Sequence, residues 1–324
     1  MLKLFSLVLL LLSSAFQATS QDMNRARQIE SAWRSWAQTV GIVETSIAIG
    51  YDGAFVRASG IGREPNEPAE IASLSKAITA MCMADVLKEQ GLSFATRLGD
   101  ILQDLVAGQN ADITIAELVS QSSGLDIDQT QEHMQHWRNE TGDRHRDAAE
   151  IALARGARAS KVGDFFYNNE NYAVLGWLIS ELTEQPYIEA CSERVFNEGG
   201  LELSPRWGAF AAWGGLQISA EDYLSFVHRS FGSKSDVARA PVIFPNVEIG
   251  RGKHYGMGSF WRASRAGGFN FWHFGRLCFR NAGNAGAYFA SYGGQWAVVV
   301  NYEGCITSDQ QSELDTVLWH AAND

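Results

Sequence analysis

The chain opens on two different apolar patterns. Residues 1–20, MLKLFSLVLLLLSSAFQATS, carry a nearly unbroken apolar run from Leu4 to Leu12 behind the basic Lys3. The run is shorter than the ~20 apolar residues of a membrane span, and small residues follow at Ala18 and Ser20. It reads as a secretory signal peptide cleaved before Gln21, leaving an exported chain with no stable membrane anchor. From 22 to 40 the apolar residues Ile29, Trp33, Trp36 and Val40 recur at helical spacing, with Gly41 placed to end the helix. Residues 42–51 and 54–59 read as strands, and Asp52-Gly53 between them signals a two-residue hairpin. A helix is predicted over 73–90, stopped by Gly91.

Residues 92–240 break into helical pieces. Thr114-x-x-Glu117 is a capping box, Pro186 opens a helix through Val195, and Ser219-x-x-Asp222 starts another. Beyond Tyr255 the chain is rich in Gly, Trp, Phe, Tyr and Val. Turns at Gly267-Gly268, Gly283-Asn284 and Gly293-Gly294 divide it into an antiparallel meander of three or four strands, and from about Gln311 it is helical again. Strands at both ends and helices between predict an α/β (α+β) fold. An antiparallel sheet flanked by helices, built from both chain ends (about 21–72 and 240–324), would carry an inserted all-helical part (about 73–239).

At 324 residues with 46% hydrophobic and 19% charged, the chain is neither disordered nor of low complexity. Its net charge of −11 argues against a nucleic-acid partner. Four cysteines are too few for a disulfide scaffold. Cys82 and Cys191 fall in helical segments and read as buried thiols. Cys278 and Cys305 follow the first and third strands of the late meander, about 10 Å apart, so a bridge between them requires the loops to fold inward.

Three short patterns can carry chemistry. In Ser73-Leu74-Ser75-Lys76 the i,i+3 spacing brings a hydroxyl and an amine together, and this is the only one of six lysines with serine three residues before it. A serine needs a base, and a lysine can be one once desolvation lowers its pKa. The turn around it is apolar (Ile71, Ala72, Leu74, Ala77, Ile78), unlike a solvated helix face. Tyr167-Asn168-Asn169, the only Tyr-x-Asn, offers a phenol and an amide; taken alone it equally suits a capping loop. His273-Phe274-Gly275 lies on a strand-like run, where glycine would let a substrate approach the backbone; a lone histidine there equally suits a core. His133-x-x-His136 has Glu132 and Glu140 nearby but no third ligand at a typical spacing, so no metal is expected.

The order Ser-x-x-Lys, Tyr-x-Asn, His-x-Gly resembles the serine β-lactamase and penicillin-binding protein superfamily, in its class C-like branch with esterases, D-aminopeptidases and D,D-carboxypeptidases. Further segments share the resemblance: ITIAELVSQSSGL (113–125), YNNENYAVLGWLIS (167–180), AAWGGLQISAEDYLSF (211–226) and YGMG (255–258). The resemblance implies Ser73 as acylated nucleophile and Lys76 as its base. It implies Tyr167 as the group that activates water and protonates the leaving group. Asn169 would bind substrate and Lys76, and His273, Gly275 and Arg276 would bind substrate. The backbone N–H groups of Ser73 and Arg276 would form an oxyanion hole, and no cofactor is implied. The sequence departs from the β-lactamase pattern, Lys-[Ser/Thr]-Gly, at His273 and Phe274, where carboxylate recognition is weakened. Gln121 stands where a histidine is usual. The reading is a secreted serine hydrolase acting on a small ester, amide or D-amino-acid peptide. The alternatives are a β-lactamase or D,D-carboxypeptidase, and a non-catalytic member binding peptidoglycan or a partner. The natural substrate and oligomeric state stay open.

Overall fold

The computed structural model describes residues 20–103, 106–140, 142–196, 201–279 and 283–324. The expected signal peptide lies outside them, apart from Ser20. Helix α1 (Ser20–Val40) leads into the hairpin β1 (Thr45–Tyr51) and β2 (Ala54–Ile61). Strand β3 (Ala69–Glu70) feeds a 3-10 turn, Ala72–Leu74, and then α2 (Ser75–Glu89). The middle holds α3 (Leu98–Leu102), α4 (Ile115–Val119), α5 (Thr130–His136), α6 (His145–Arg155), α7 (Asn169–Thr183), α8 (Tyr187–Val195), β4 (Glu202–Leu203) and β5 (Leu216–Ile218). Then come α9 (Ala220–Phe231), α10 (Asp236–Arg239) and six strands: β6 (Val247–Gly250), β7 (Lys253–Gly256), β8 (Ser259–Ala263), β9 (Phe269–Cys278), β10 (Asn284–Tyr292) and β11 (Trp296–Glu303). Helix α11 (Ser308–Asn323) closes the chain.

Eight strands form one antiparallel sheet in the order β2-β1-β11-β10-β9-β8-β7-β6. The pairing of β1 with β11, from Thr45↔Tyr302 to Tyr51↔Trp296, joins the two chain ends as expected. The hairpin turn has Asp52 and Gly53 at φ +47° and +83°, the left-handed pair that matches strand twist. The late meander has six strands, where three or four were expected. Residues 247–254 are polar and half-exposed edge strands, which carry a weak apolar signal. Both sheet faces are covered. Ile47, Ile49, Tyr288, Val298 and Val300 pack beneath α1 and α11. Ala48, Phe289 and Val299 join the core on the other side, where α9 lies against β1 and β11.

The middle segment departs from an all-helical insert in two ways. Strands β4 and β5 pair with β3 in a small three-stranded sheet of order β3-β5-β4. Helix α9, capped as expected by Ser219 accepting from the Asp222 N–H (3.0 Å), packs on the large sheet. The helical layer therefore ends before Ser219, not near 239. Pro186 is the residue before α8 rather than its first member.

The expectation of buried thiols at Cys82 and Cys191 is corrected: they form a disulfide with a Cα–Cα distance of 5.2 Å. Helices α2 and α8 are neighbours, a fact that helical spacing in sequence does not carry. Cys278 and Cys305 are also bonded, with Cα atoms 5.4 Å apart. After β11, Gly304 donates its N–H to the Asn284 carbonyl (3.2 Å). The chain thereby crosses the first residue of β10 and reaches the end of β9, the inward fold that this bridge required.

Candidate active site

Ser73 sits inside the 3-10 turn rather than at the first residue of a helix, which begins at Ser75. Ala72 before it has φ +48°, a left-handed conformation uncommon for a residue with a Cβ. Neighbours hold the turn: the Ser75 hydroxyl donates to the Ala72 carbonyl (2.7 Å) and the Tyr223 hydroxyl to the Leu74 carbonyl (3.0 Å). Ser73 is half-buried, whereas Lys76, one turn into α2, is fully buried.

Lys76 Nζ donates to Ser73 Oγ at 3.1 Å and to the Trp213 carbonyl at 2.8 Å. It also lies 4.9 Å from the ring centre of Tyr167 and 5.7 Å from that of Tyr172. Burial lowers its pKa from 10.5 to about 7, against the opposing pull of the Asp128 carboxylate. A carbonyl can only accept, so one Lys76 N–H is pinned on Trp213, and the neutral amine can turn its lone pair to Ser73. Sequence reasoning quoted the segment of Trp213 and gave that residue no role. The local signal is Gly214-Gly215, because a Cβ at Gly215 would stand 1.9 Å from the Trp207 carbonyl oxygen. His145 supports the same strand approach: its Nε2 accepts from the Ala212 N–H (3.0 Å).

Tyr167 lies just before α7, half-buried, with its hydroxyl 3.5 Å from His273 Nε2. Desolvation and the neighbouring Tyr255 push its pKa well above 10, with the Ser73 hydroxyl pulling the other way, so the phenol keeps its proton. The Asn168 side chain caps α7 by accepting from the Glu170 N–H (2.8 Å). The Asn169 amide donates to Thr130 Oγ1 (2.9 Å), and the Asn169 N–H donates to Asp128 Oδ2 (3.0 Å). The expected Asn169–Lys76 contact is thus replaced: Lys76 is held by Trp213, and Asn169 by the Asp128–Thr130 loop. Asp128 is a second residue the sequence did not flag. Gln121, in the place of the usual histidine, accepts with Oε1 from the Asn168 N–H (3.0 Å) and Asn171 Nδ2 (2.7 Å).

His273 is buried on β9. Its Nδ1–H donates to the Phe274 carbonyl at 2.7 Å, which leaves Nε2 as the acceptor facing Tyr167. Burial, with the Lys76 charge next, lowers its pKa from 6.5 to about 3, so the ring is neutral. Because side chains alternate along a strand, Phe274 and Arg276 point to the opposite face. Phe274 stacks on Tyr288 with centroids 4.5 Å apart, and the exposed Arg276 donates to the Ile306 carbonyl (3.4 Å). This corrects Arg276 as a substrate-binding side chain; its backbone N–H stays on the site's edge.

Gly275 is needed for a different close approach from the one expected. A Cβ there would lie 2.3 Å from the Ile71 carbonyl oxygen, so it is the backbone of the nucleophile turn that rests on β9. Strand β8 pairs with β9 only as far as Phe260↔Trp272, which leaves 273–278 open on that edge. Gly258 makes the matching contact with α2, its Cβ position being 2.4 Å from the Ala77 nitrogen. Away from this cleft, His133 stacks on Trp137 (5.1 Å). Among the described residues no cluster of three His, Cys, Asp or Glu side chains is arranged to hold a metal.

The arrangement brings together a hydroxyl, a buried amine and a protonated phenol. Protein flp of Staphylococcus aureus (strain NCTC 8325 / PS 47) is 30% identical over 132 residues, 39% of this chain. The match spans only 25% of that protein. A class C beta-lactamase from Rhodobacter sphaeroides superposes with a TM-score of 0.68 at 16% identity, covering 91% of this chain and 99% of that one. A beta-lactamase/D-alanine carboxypeptidase from Pseudomonas syringae superposes at 0.72 and 15%, covering 93% and 100%. These likenesses show the β-lactamase/transpeptidase fold. The sequence model of the Beta-lactamase family matches residues 34–204, more than half of the chain, which therefore belongs to that family.

Proposed function

We propose that this chain is a serine hydrolase of the Ser-x-x-Lys type that cleaves an ester or amide through an acyl-enzyme on Ser73. One observation carries the reading: a half-exposed hydroxyl stands 3.1 Å from a buried amine whose pKa has been brought to about 7. Neutral Lys76 takes the Ser73 proton as Oγ bonds to the acyl carbon. The carbonyl oxygen becomes an oxyanion, assigned to the backbone N–H groups of Ser73 and Arg276, where one such donor contributes about 3–4 kcal/mol. Collapse breaks the bond to the alcohol or amine. That group takes a proton from Tyr167, and Lys76 reprotonates the phenol. Water then attacks the acyl-enzyme, gives its proton to Lys76, and Ser73 leaves with it.

The third pattern favours a neutral substrate over a penicillin or cephalosporin. His273 is uncharged, and Phe274 and Arg276 face the other layer. A β-lactam carboxylate desolvated there would lack the cation and hydroxyl it needs, a costly state. A D-amino-acid amide stays within the reading. The apolar leader at residues 1–20 and the two disulfides support an exported protein, because such bonds persist in oxidising compartments.

A fluorophosphonate probe should label the wild type, and Ser73→Ala should abolish labelling without changing the circular dichroism. Hydrolysis of p-nitrophenyl esters should fall by about three orders of magnitude or more. Ser75→Ala should still label, since the Ser75 hydroxyl is spent on the Ala72 carbonyl. Labelling of Ser73→Ala would remove Ser73 as nucleophile. A chromogenic cephalosporin with a higher kcat/KM than every short ester would overturn the substrate preference.

A further inference from the structure

A cleft of about 520 Å³ adjoins the Tyr167 loop. Gln121, Leu125, Phe165 and Phe166 line it, with Lys161 and Asp164 beside them. Three features mark it as a place for an apolar group. A large apolar side chain is exposed here: Phe166 is 42% exposed, and Val162, on the same loop outside the lining, is 41% exposed. The two loops that carry these residues are fixed rather than loosely apposed. Phe166 donates its N–H to the Gln121 carbonyl (2.9 Å), and Val162 bridges to Ser123. The aromatic surface continues inward, from Phe165 to Tyr255 (5.5 Å) and from Tyr255 to both Tyr167 (5.9 Å) and His273 (6.0 Å).

The charges nearby are already used on one another. Lys161 pairs with Asp164 (3.4 Å) and Arg158 with Asp126 (3.1 Å). Gln121 is itself buried, with its Oε1 fixed by two donors and its amide facing Tyr255, so it closes the inner end of the cleft. We infer that this cleft is the specificity subsite of the hydrolase. It takes an uncharged aryl or medium-length alkyl group on one side of the scissile bond. The inference rests on the hydrolase reading above and adds the substrate class.

Two ester series test it. One varies the acyl chain (p-nitrophenyl acetate, butyrate, hexanoate), and the other varies the alcohol (ethyl, butyl and benzyl acetate, followed by pH-stat). In one of the two series kcat/KM should rise by about tenfold or more with apolar size, since each buried methylene contributes up to about fourfold. Phe165→Ser and Phe166→Ser should each flatten that same series. If esters are hydrolysed but neither series rises, or the rise survives both serine variants, the subsite is wrong while the hydrolase stands. If no ester is hydrolysed and no probe labels Ser73, the hydrolase reading fails and the subsite with it.

Discussion

At the residue scale the proposed mechanism puts the pH dependence of catalysis on Lys76 and not on His273. A histidine in water titrates near 6.5 and would help Tyr167 as pH rose. With its pKa at about 3, His273 is neutral across the working range. Lys76 titrates at about 7, and only its neutral form can take the Ser73 proton. Ester kcat/KM should therefore rise with slope one up to about pH 7 and level off above it, and His273→Gln should keep that limb while lowering its height. A limb that vanishes in His273→Gln would return the role to the histidine. The pair Ser73/Lys76 was legible because short spacing and residue type carry it, whereas Tyr167 and His273, 106 residues apart, were related only through the resemblance. The partners that orient them were not legible. The Lys76–Trp213 bond joins residues 137 apart through a backbone carbonyl, a group every residue has.

At the element scale the site depends on how closely β9 lies on the turn before α2. Gly275→Ala puts a methyl 2.3 Å from the Ile71 carbonyl oxygen and 3.0 Å from the Ala72 methyl, and neither a backbone oxygen nor a Cβ can swing aside. The strand must retreat from the Ser73 turn. Overpacking of this kind costs about 1–3 kcal/mol, and a shift near 1 Å in a reacting geometry costs about a hundredfold in rate. Gly275→Ala should thus lower kcat/KM far more than its fall in Tm explains; a variant with wild-type turnover would show that the approach does not set the geometry. Elements with local signals were readable in sequence: α1 with Gly41, the Asp52-Gly53 hairpin, and α4 with its Thr114/Glu117 box (3.2 Å and 2.7 Å). Elements defined only by a distant partner were not. Strands β4 and β5 are two and three residues long and exist by pairing, ultimately to β3. The amphipathic pattern of α9 gives its buried face without saying that the sheet lies beneath it.

At the scale of the whole molecule, two buried histidines and one half-buried one tie the fold to pH. His145 lies in the helical layer with its Nε2 committed to the Ala212 N–H, His228 on α9 faces Gly50 of β1, and His273 lies in the active site. Burial lowers the pKa of His145 and of His228 to about 4, each opposed by a carboxylate (Asp143 and Asp52), and that of His273 to about 3. In the unfolded chain each titrates near 6.5. Between the two values the unfolded state binds more protons than the folded one, so stability is full above about pH 6.5 and falls as the pH is lowered toward 4. One histidine costs about 1.4 kcal/mol per pH unit in that window, so three together cost about 4 kcal/mol per unit. By pH 3.5 the three together cost about 11 kcal/mol, comparable with the usual stability of about 5–15 kcal/mol, so acid loss of the fold is expected to set in below about pH 5. Circular dichroism across that range should show one cooperative transition, because the groups lie in the helical part, on α9 and on β9, and the sheet joins both chain ends. His228→Gln, which removes one proton sink away from the active site, should move the midpoint to lower pH. A wild-type chain whose urea midpoint is the same at pH 6.5 and pH 4.5 would show that these histidines are not held neutral by burial.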